Sequence, residues 1–347
     1  GVRASQSAGA GAGAGAARFP GGGAMKSRWP WLLALTLVAL IGGLSLGATR
    51  IAPSAIWLGL RDGSSDAAPI VRQLRLPRVL LGFLVGGGLA VSGAVLQALV
   101  RNPLADPFVL GISGGATLGA VAAISAGMNN PWAVPFAAFA GAVATLVLVY
   151  RLSLVAGRRL DSGVLLLAGV VVSSFAMALV TAILMLVDAT RVQNSFRWML
   201  GGLWAASWTT VTMVAAYGSV PLAVLLLRAR DLDLLALGEE QARHLGADPE
   251  RVKRLAYLAT GFLTAVAVAT SGAIGFVGLL VPHAVRKLWG PLHRALLPSV
   301  FLAGGGFLVL ADAIARSIAP PVELPVGVVT ALVGVPFFAM LLKRRLG

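Results

Sequence analysis

Ser113 stands in the string Gly111-Ile112-Ser113-Gly114, and His283 follows on a later apolar run. A serine and a histidine at one depth within hydrogen-bond reach could act as nucleophile and base, so an intramembrane serine protease is one chemistry open to these residues. Short serine motifs arise easily, however, and close helix packing explains the glycines around Ser113 equally well. His244, His283 and His293 show no ligand spacing, and cysteine is absent, so no metal set, thiolate or disulfide frame is expected. His283 could ligate haem, but a histidine after Pro282 in a broken helix also reads as structural. Proton-coupled transport would require ionisable groups at mid-membrane; only Asp188 and Asp312 approach an apolar run, both near its outer end. No G-x-x-x-x-G-K-[ST] loop occurs, nor any Gly-Lys pair, so that means of cradling ATP phosphates is missing. No catalytic residue, metal ligand or cofactor of its own is expected.

The elements that would position such groups are apolar runs. Of 347 residues 58% are hydrophobic and 12% charged, which places the chain among polytopic all-α membrane proteins. The net charge of +15 does not signal nucleic acid, because the arginines and lysines gather at the ends of apolar runs without interleaved aromatics. Residues 1–24, around AGAGAGAGAA, read as a disordered low-complexity segment or as sequence upstream of a start at Met25. From 25 to 347 the chain reads as one transmembrane domain of about ten helices. Spans are expected near 31–46, 78–100, 108–126, 134–155, 163–187, 208–227, 252–269, 275–288, 295–315 and 325–342. Gly272, Gly275, Gly278 and Pro282 make the eighth the least regular. With the N-terminus inside, the inner face collects Lys26, Arg28, Arg101, Arg151, Arg158, Arg159, the basic residues of 228–254, Arg286, Lys287, Arg294 and Lys343 to Arg345. Arg50, Arg61, Arg72 and Arg75 fall on the other side, either because long loops cross regardless of charge or because a basic patch awaits an acidic partner. RVLLGF…VSGAV echoes RVKRLA…TSGAI, a weak internal repeat.

Asp231 to Arg254 is the long polar island of the second half. Leu234, Leu235, Leu237, Ala242 and Leu245 recur at helical spacing broken by Gly238, which predicts two short helices set at an angle. Gly246 fits a helix C′ position, and Asp248-Pro249 an N-cap and first helical residue. Such order suggests a docking element for a partner protein or an amphipathic loop on lipid headgroups.

Leu74 to Ala120, with LRLPR and NPLADP, resembles the permease subunits of bacterial ABC importers for iron-siderophores, haem and cobalamin. So do LLALGEEQARHLG (Leu234 to Gly246), SGAIGFVGLLVPHAVR (Ser271 to Arg286) and LADAIARSIAPPVELPVGVVTALVGVPFF (Leu310 to Phe338). Four long motifs in the same order make the resemblance specific, and it runs from about Trp31 to the C-terminus.

The resemblance implies a type II importer fold of ten helices in the bacterial inner membrane. It further implies a homodimer, two ATP-binding cassette subunits carrying ATP and Mg, and a periplasmic solute-binding protein. The island matches coupling helices within 231–250, with Glu239, Glu240 and Arg243 as rim contacts and Leu237, Gly238, Leu245 and Gly246 as a fitted core. Asn102 and Leu104 match a cytoplasmic gate; Ser162 stands at a second constriction, where Gly163 replaces a polar residue of relatives. Arg75, Arg78 and Arg316 match outward arginines that dock the binding protein, although Arg316 could equally pair with Asp312 four residues earlier. Ser173, Met177 and Leu184 on the fifth span, with Val329 and Thr330 on the tenth, would line the pathway. Likeness orders the cargoes as haem, ferric siderophore, then cobalamin.

Overall fold

The computed structural model describes residues 28–128, 130–155 and 161–346; the expectations for residues 1–24, Met25, Lys26, Arg158 and Arg159 lie outside them. The described residues contain helices and no strand. These are α1 (Trp29–Ser45), α2 (Pro53–Arg61), α3 (Leu76–Val100), α4 (Ile112–Ser125), α5 (Ala133–Val155), α6 (Ser162–Leu184), α7 (Ala189–Met199), α8 (Trp208–Leu227), α9 (Ala229–Ala236), α10 (Glu239–His244), α11 (Pro249–Ser271), α12 (Val277–Trp289), α13 (His293–Ser317) and α14 (Val326–Leu346). A π-helical segment, Ile70–Arg75, leads into α3, and a 3₁₀ turn, Pro107–Leu110, precedes α4.

Each of the ten apolar runs forms a helix, but only six are long and apolar enough to cross a membrane: Ile70–Val100, Ala133–Leu154, Ser162–Leu184, Trp208–Leu227, Pro249–Ser271 and His293–Ser317. Trp29–Ser45, Ile112–Ser125 and Val326–Met340 are shorter apolar helices, and α12 has 13 residues.

Polar side chains set the starts of these helices. Asp161 accepts from the Gly163 and Val164 amides at 2.8 and 3.0 Å, Asp188 from Arg191 N at 3.0 Å, and Ser207 from Thr210 N at 3.2 Å. Asp248 accepts from Glu250 N and Arg251 N as expected, with Pro249 as the first helical residue. Each such cap is worth about 1 kcal/mol. Two amphipathic helices, α2 and α7, were not anticipated from the apolar pattern.

The bundle is organised around α3, which packs on α13, α11, α12 and α8. The apolar windows of Ile70–Val100 and Pro249–Ser271 are 83% and 78% buried within the protein, against 28% for Ala133–Leu154 and Ser162–Leu184, so the latter two form the rim. Lipid is as apolar as leucine, so what holds such helices is close packing rather than escape from water. At the α3–α13 crossing a β-carbon on Gly86 would collide with the Gly304 carbonyl, which is why both helices need glycine there. Phe83 and Phe301 meet edge to face at 5.5 Å beside it.

Candidate functional site

The polar island folds into α9 and α10, two short helices joined at Leu237-Gly238. Gly238 has φ 122°, a left-handed conformation that a β-carbon would strain, and it turns the chain between the two axes. The island ends in a Schellman motif: Gly246 N bonds to Arg243 O at 3.0 Å, and Ala247 N to Ala242 O at 2.9 Å. Gly246 is left-handed, with φ 85°. Leu232, Leu235 and Ala242 are buried and anchor the knuckle, while Leu237 and Leu245 stand 63% and 57% exposed. Two polar tethers hold it to the bundle. Asp233 accepts from the backbone amide of His293 at 2.8 Å and meets its Nδ1 at 2.6 Å, at the start of α13. Glu239 pairs at 2.6 Å with Lys253, a buried ammonium on α11 that also has Glu250 at 3.8 Å. The two expected rim acids therefore differ: Glu239 faces inward, whereas Glu240 is exposed, as is Arg243.

The NPLADP loop lies against this knuckle. Arg101 ends α3 in a left-handed conformation, φ 52°, unusual for a residue with a side chain, and its guanidinium comes 3.9 Å from where a Gly238 β-carbon would sit. Asn102 Oδ1 accepts from Leu104 N at 2.9 Å, and both side chains are exposed. Ser162 Oγ donates to Leu99 O at 3.1 Å, which fixes the start of α6 to the end of α3. The expected gate residues Asn102, Leu104 and Ser162 are thus brought to one end of α3. Asp106 receives the Phe108 amide at 2.9 Å, and burial pushes its carboxyl up to about 6 against that hydrogen bond.

The sequence reading missed a polar link behind this loop. Gln97, buried inside α3, accepts from Arg286 of α12 at 3.0 Å and donates to Gly278 O at 3.3 Å. A lone amide in an apolar run is the signal that marks it.

The three arginines expected at the docking face are engaged within the chain. Arg316 Nε bonds Asp312 at 2.8 Å, the local pair that was the alternative, and its Nη atoms reach Leu46 O and Gly43 O at 3.1 and 3.0 Å. Arg75 donates to Leu44 O and to the Thr49 carbonyl. Arg78 is shared between Asp312 and Glu323, at 3.0 and 2.9 Å. Arg75 and Arg316 are 7% and 5% exposed, and their donors cap carbonyls at and just beyond the end of α1.

The residues expected to line the pathway differ in exposure. Val329 and Thr330 are 5% and 0% exposed, with Thr330 Oγ1 donating to Gly327 O at 3.0 Å, so they face the bundle. Ser173 packs on Gly114 of α4. Met177 is 38% exposed and Leu184 partly so. On α14 the open wall is Val328, Ala331, Leu332 and Val335, which with Met199, Leu200 and Ala273 bound an apolar groove of about 500 Å³.

Ser113 and His283 belong to different layers. α4 packs on α5 and α6, while α12 packs on α3, α13 and α14, where His283 meets Phe337 edge to face at 6.2 Å. No group of three or more His, Asp or Glu that could hold a metal occurs among the described residues.

Comparison with known proteins places the chain beside membrane transporters. A family model described as the FecCD transport family matches residues 34–344. The chain is 45% identical over 305 residues to the cobalamin import system permease protein of Halobacterium salinarum, covering 88% of this chain and 81% of that one. It is 38% identical to the hemin transport system permease protein of Yersinia pestis, covering 91% and 95%. A solved structure described as an inward-facing conformation of a metal-chelate type ABC transporter aligns with TM-score 0.81 at 30% identity, covering 92% of this chain and 99% of that one.

Proposed function

The chain belongs to the FecCD transport family, a permease of ABC importers, and we propose that it moves a tetrapyrrole-type metal chelate through a homodimer in the cytoplasmic membrane. Two ATP-binding cassette subunits, holding ATP and Mg, dock on the α9–α10 knuckle, and a solute-binding protein delivers cargo outside. Identity to the cobalamin permease exceeds that to the hemin permease, which moves cobalamin ahead of haem as cargo; ferric siderophore comes third. Ten crossings are proposed, with α12 as the shortest.

The observation that carries this reading is the knuckle itself. Leu237 and Leu245 are large apolar side chains, more than half exposed, on an element tethered once on each of its helices, by Asp233–His293 and Glu239–Lys253. A rigid knuckle with two apolar tips fits a cleft in a soluble partner, since an anchor held in place costs little ordering on binding. Its neighbour Arg101 places the Asn102–Leu104 loop within reach of any push on Gly238, and Ser162 extends the same motion to α6. Nucleotide-driven closure of the partners would then rock α6 and open or shut the inner end.

The test is ATP-driven uptake in proteoliposomes holding the permease and its ATPase, with cobalamin, haem and a ferric siderophore each offered on a binding protein. Leu237→Asp with Leu245→Asp is expected to abolish ATPase association and lower uptake at least tenfold. Association unchanged by both charges would sink the docking assignment.

A further inference from the structure

Two cavities along α5 and α11 share a wall, the first closed by α7 and the segment after it and the second by α8. The one toward the outer end, about 220 Å³, is bounded by Trp198, Gly202, Trp204 and Ser271. The other, about 380 Å³, is lined by the rings of Trp132, Phe136, Phe139, Tyr217 and Phe262. Pro135, Ala269 and Thr270 line both, so together they form one slot. It is open at the side, with Phe136 and Tyr217 exposed at 73% and 58%, and Phe139 against Phe262 at 5.4 Å forms its floor. From Thr270 to Phe262 it descends eight residues of α11, about 12 Å. That depth is under half of a hydrocarbon core of about 30 Å, so the slot spans one leaflet.

Its two ends differ in chemistry. The deep end is aromatic and apolar. At the rim, the Trp204 indole N–H is buried without an acceptor among the described residues. Arg197 of α7 is exposed, lies 5.1 Å over the Trp204 ring, and has no carboxylate partner among the described residues. An occupant therefore needs an anionic acceptor at the rim and a slender apolar tail below it. We propose that the slot holds one acyl chain of an outer-leaflet phospholipid, its phosphate taken by Arg197 and the Trp204 N–H. A guanidinium forks onto phosphate oxygens, and an indole N–H is a donor suited to the same group. The tryptophans Trp198 and Trp204 at the rim fit the headgroup boundary. The assignment rests on α5, α8 and α11 crossing the membrane.

The test uses the full chain purified in detergent with its ATPase, titrated with phosphatidylglycerol carrying a dibrominated acyl chain, and reads tryptophan quenching. Saturable quenching is expected in the wild type. Arg197→Gln should bind about tenfold more weakly, the loss of one charge-assisted contact, and a brominated diacylglycerol lacking phosphate should match that weakness. Thr270→Phe, which fills the junction of the two cavities, should remove the saturable component. Quenching equal in all three proteins overturns the proposal. So does a shift of the Thr270→Phe protein to a smaller particle on gel filtration, which would make the slot a contact with a second copy. Loss of uptake with lipid quenching intact would instead strike the importer reading and leave the slot standing.

Discussion

At Asp106 burial and a hydrogen bond pull against each other, and burial wins. The carboxyl stands at about 6, above its ordinary 3.8. The folded chain therefore holds this proton more tightly than the unfolded chain does. Its contribution to stability is complete below about pH 4 and is lost as pH rises through 6. Two pK units correspond to at most about 3 kcal/mol of cost at neutral pH. Asp106→Asn keeps a cap for the Phe108 amide and removes the charge. Its thermal melt in detergent should match the wild type at pH 4 and lie a few degrees higher at pH 8; an equal melt at pH 8 would contradict the assignment. Glu239 and Glu240 make a second contrast. Glu239→Gln removes the carboxylate 2.6 Å from the buried Lys253 ammonium and should cost about 1–2 kcal/mol, while exposed Glu240→Gln should fall within about 0.5 kcal/mol. Chemical denaturation of the two variants reads the difference directly. Identical neighbours in sequence acquire different roles because helix rotation turns one toward α11, and that rotation is not written in the residue types.

Among elements, what the sequence made legible follows from which signals are local. The caps at Asp248 and Gly246 and the bend at Gly238 are contained within a few residues, and all three stand where their types predict. Helix α7 was missed because Asp188 to Met199 carries Arg191, Gln193, Asn194 and Arg197 and has no apolar run to attract notice, though its Asp188 cap was readable. Arg75 and Arg316 have partners that the sequence shows only in part. The Arg316–Asp312 pair is readable from its spacing of four, but the other acceptors of Arg75 and Arg316 include the carbonyls of Gly43, Leu44, Leu46 and Thr49, and a carbonyl is the same on every residue, so the sequence does not announce them. Val329 and Thr330 are buried because the register of α14 faces them into the bundle, which only packing decides. The same packing gives a sharp test at the α3–α13 crossing. Gly86→Leu drives a side chain into the Gly304 backbone, where neither helix can yield. It should cost more than the about 1–3 kcal/mol of ordinary overpacking. Gly86→Leu should elute from size exclusion as aggregate, and a monodisperse peak with wild-type melting would show that the helices are further apart.

For the whole molecule the open question is how many helices cross. Helix α12 has 13 residues and rises about 20 Å, short of a core of about 30 Å. The five residues Gly272 to Phe276 lead into it without helix, and extended chain covers up to about 16 Å over that length. Helix and lead-in together suffice to cross. Non-helical backbone is tolerated at such depth when protein covers it, and Gly272 and Ile274 are buried. Arg286 and Lys287 at the far end of α12 then face inward with the other basic residues. The absence of cysteine makes this testable without background, because every introduced thiol is unique. Ser64→Cys, Asn194→Cys and Ile318→Cys should react with an impermeant maleimide added outside intact cells. Gln241→Cys and Leu292→Cys should react only after permeabilisation. If α12 does not cross, Leu292→Cys labels from outside, Ile318→Cys, one crossing further on, becomes protected, and Gln241→Cys stays protected. Ten crossings put Leu292 and Gln241 on one side, as the Asp233–His293 tether requires of residues flanking it. That tether joins α9 to the start of α13 directly, so a bundle with the two on opposite faces could not keep it.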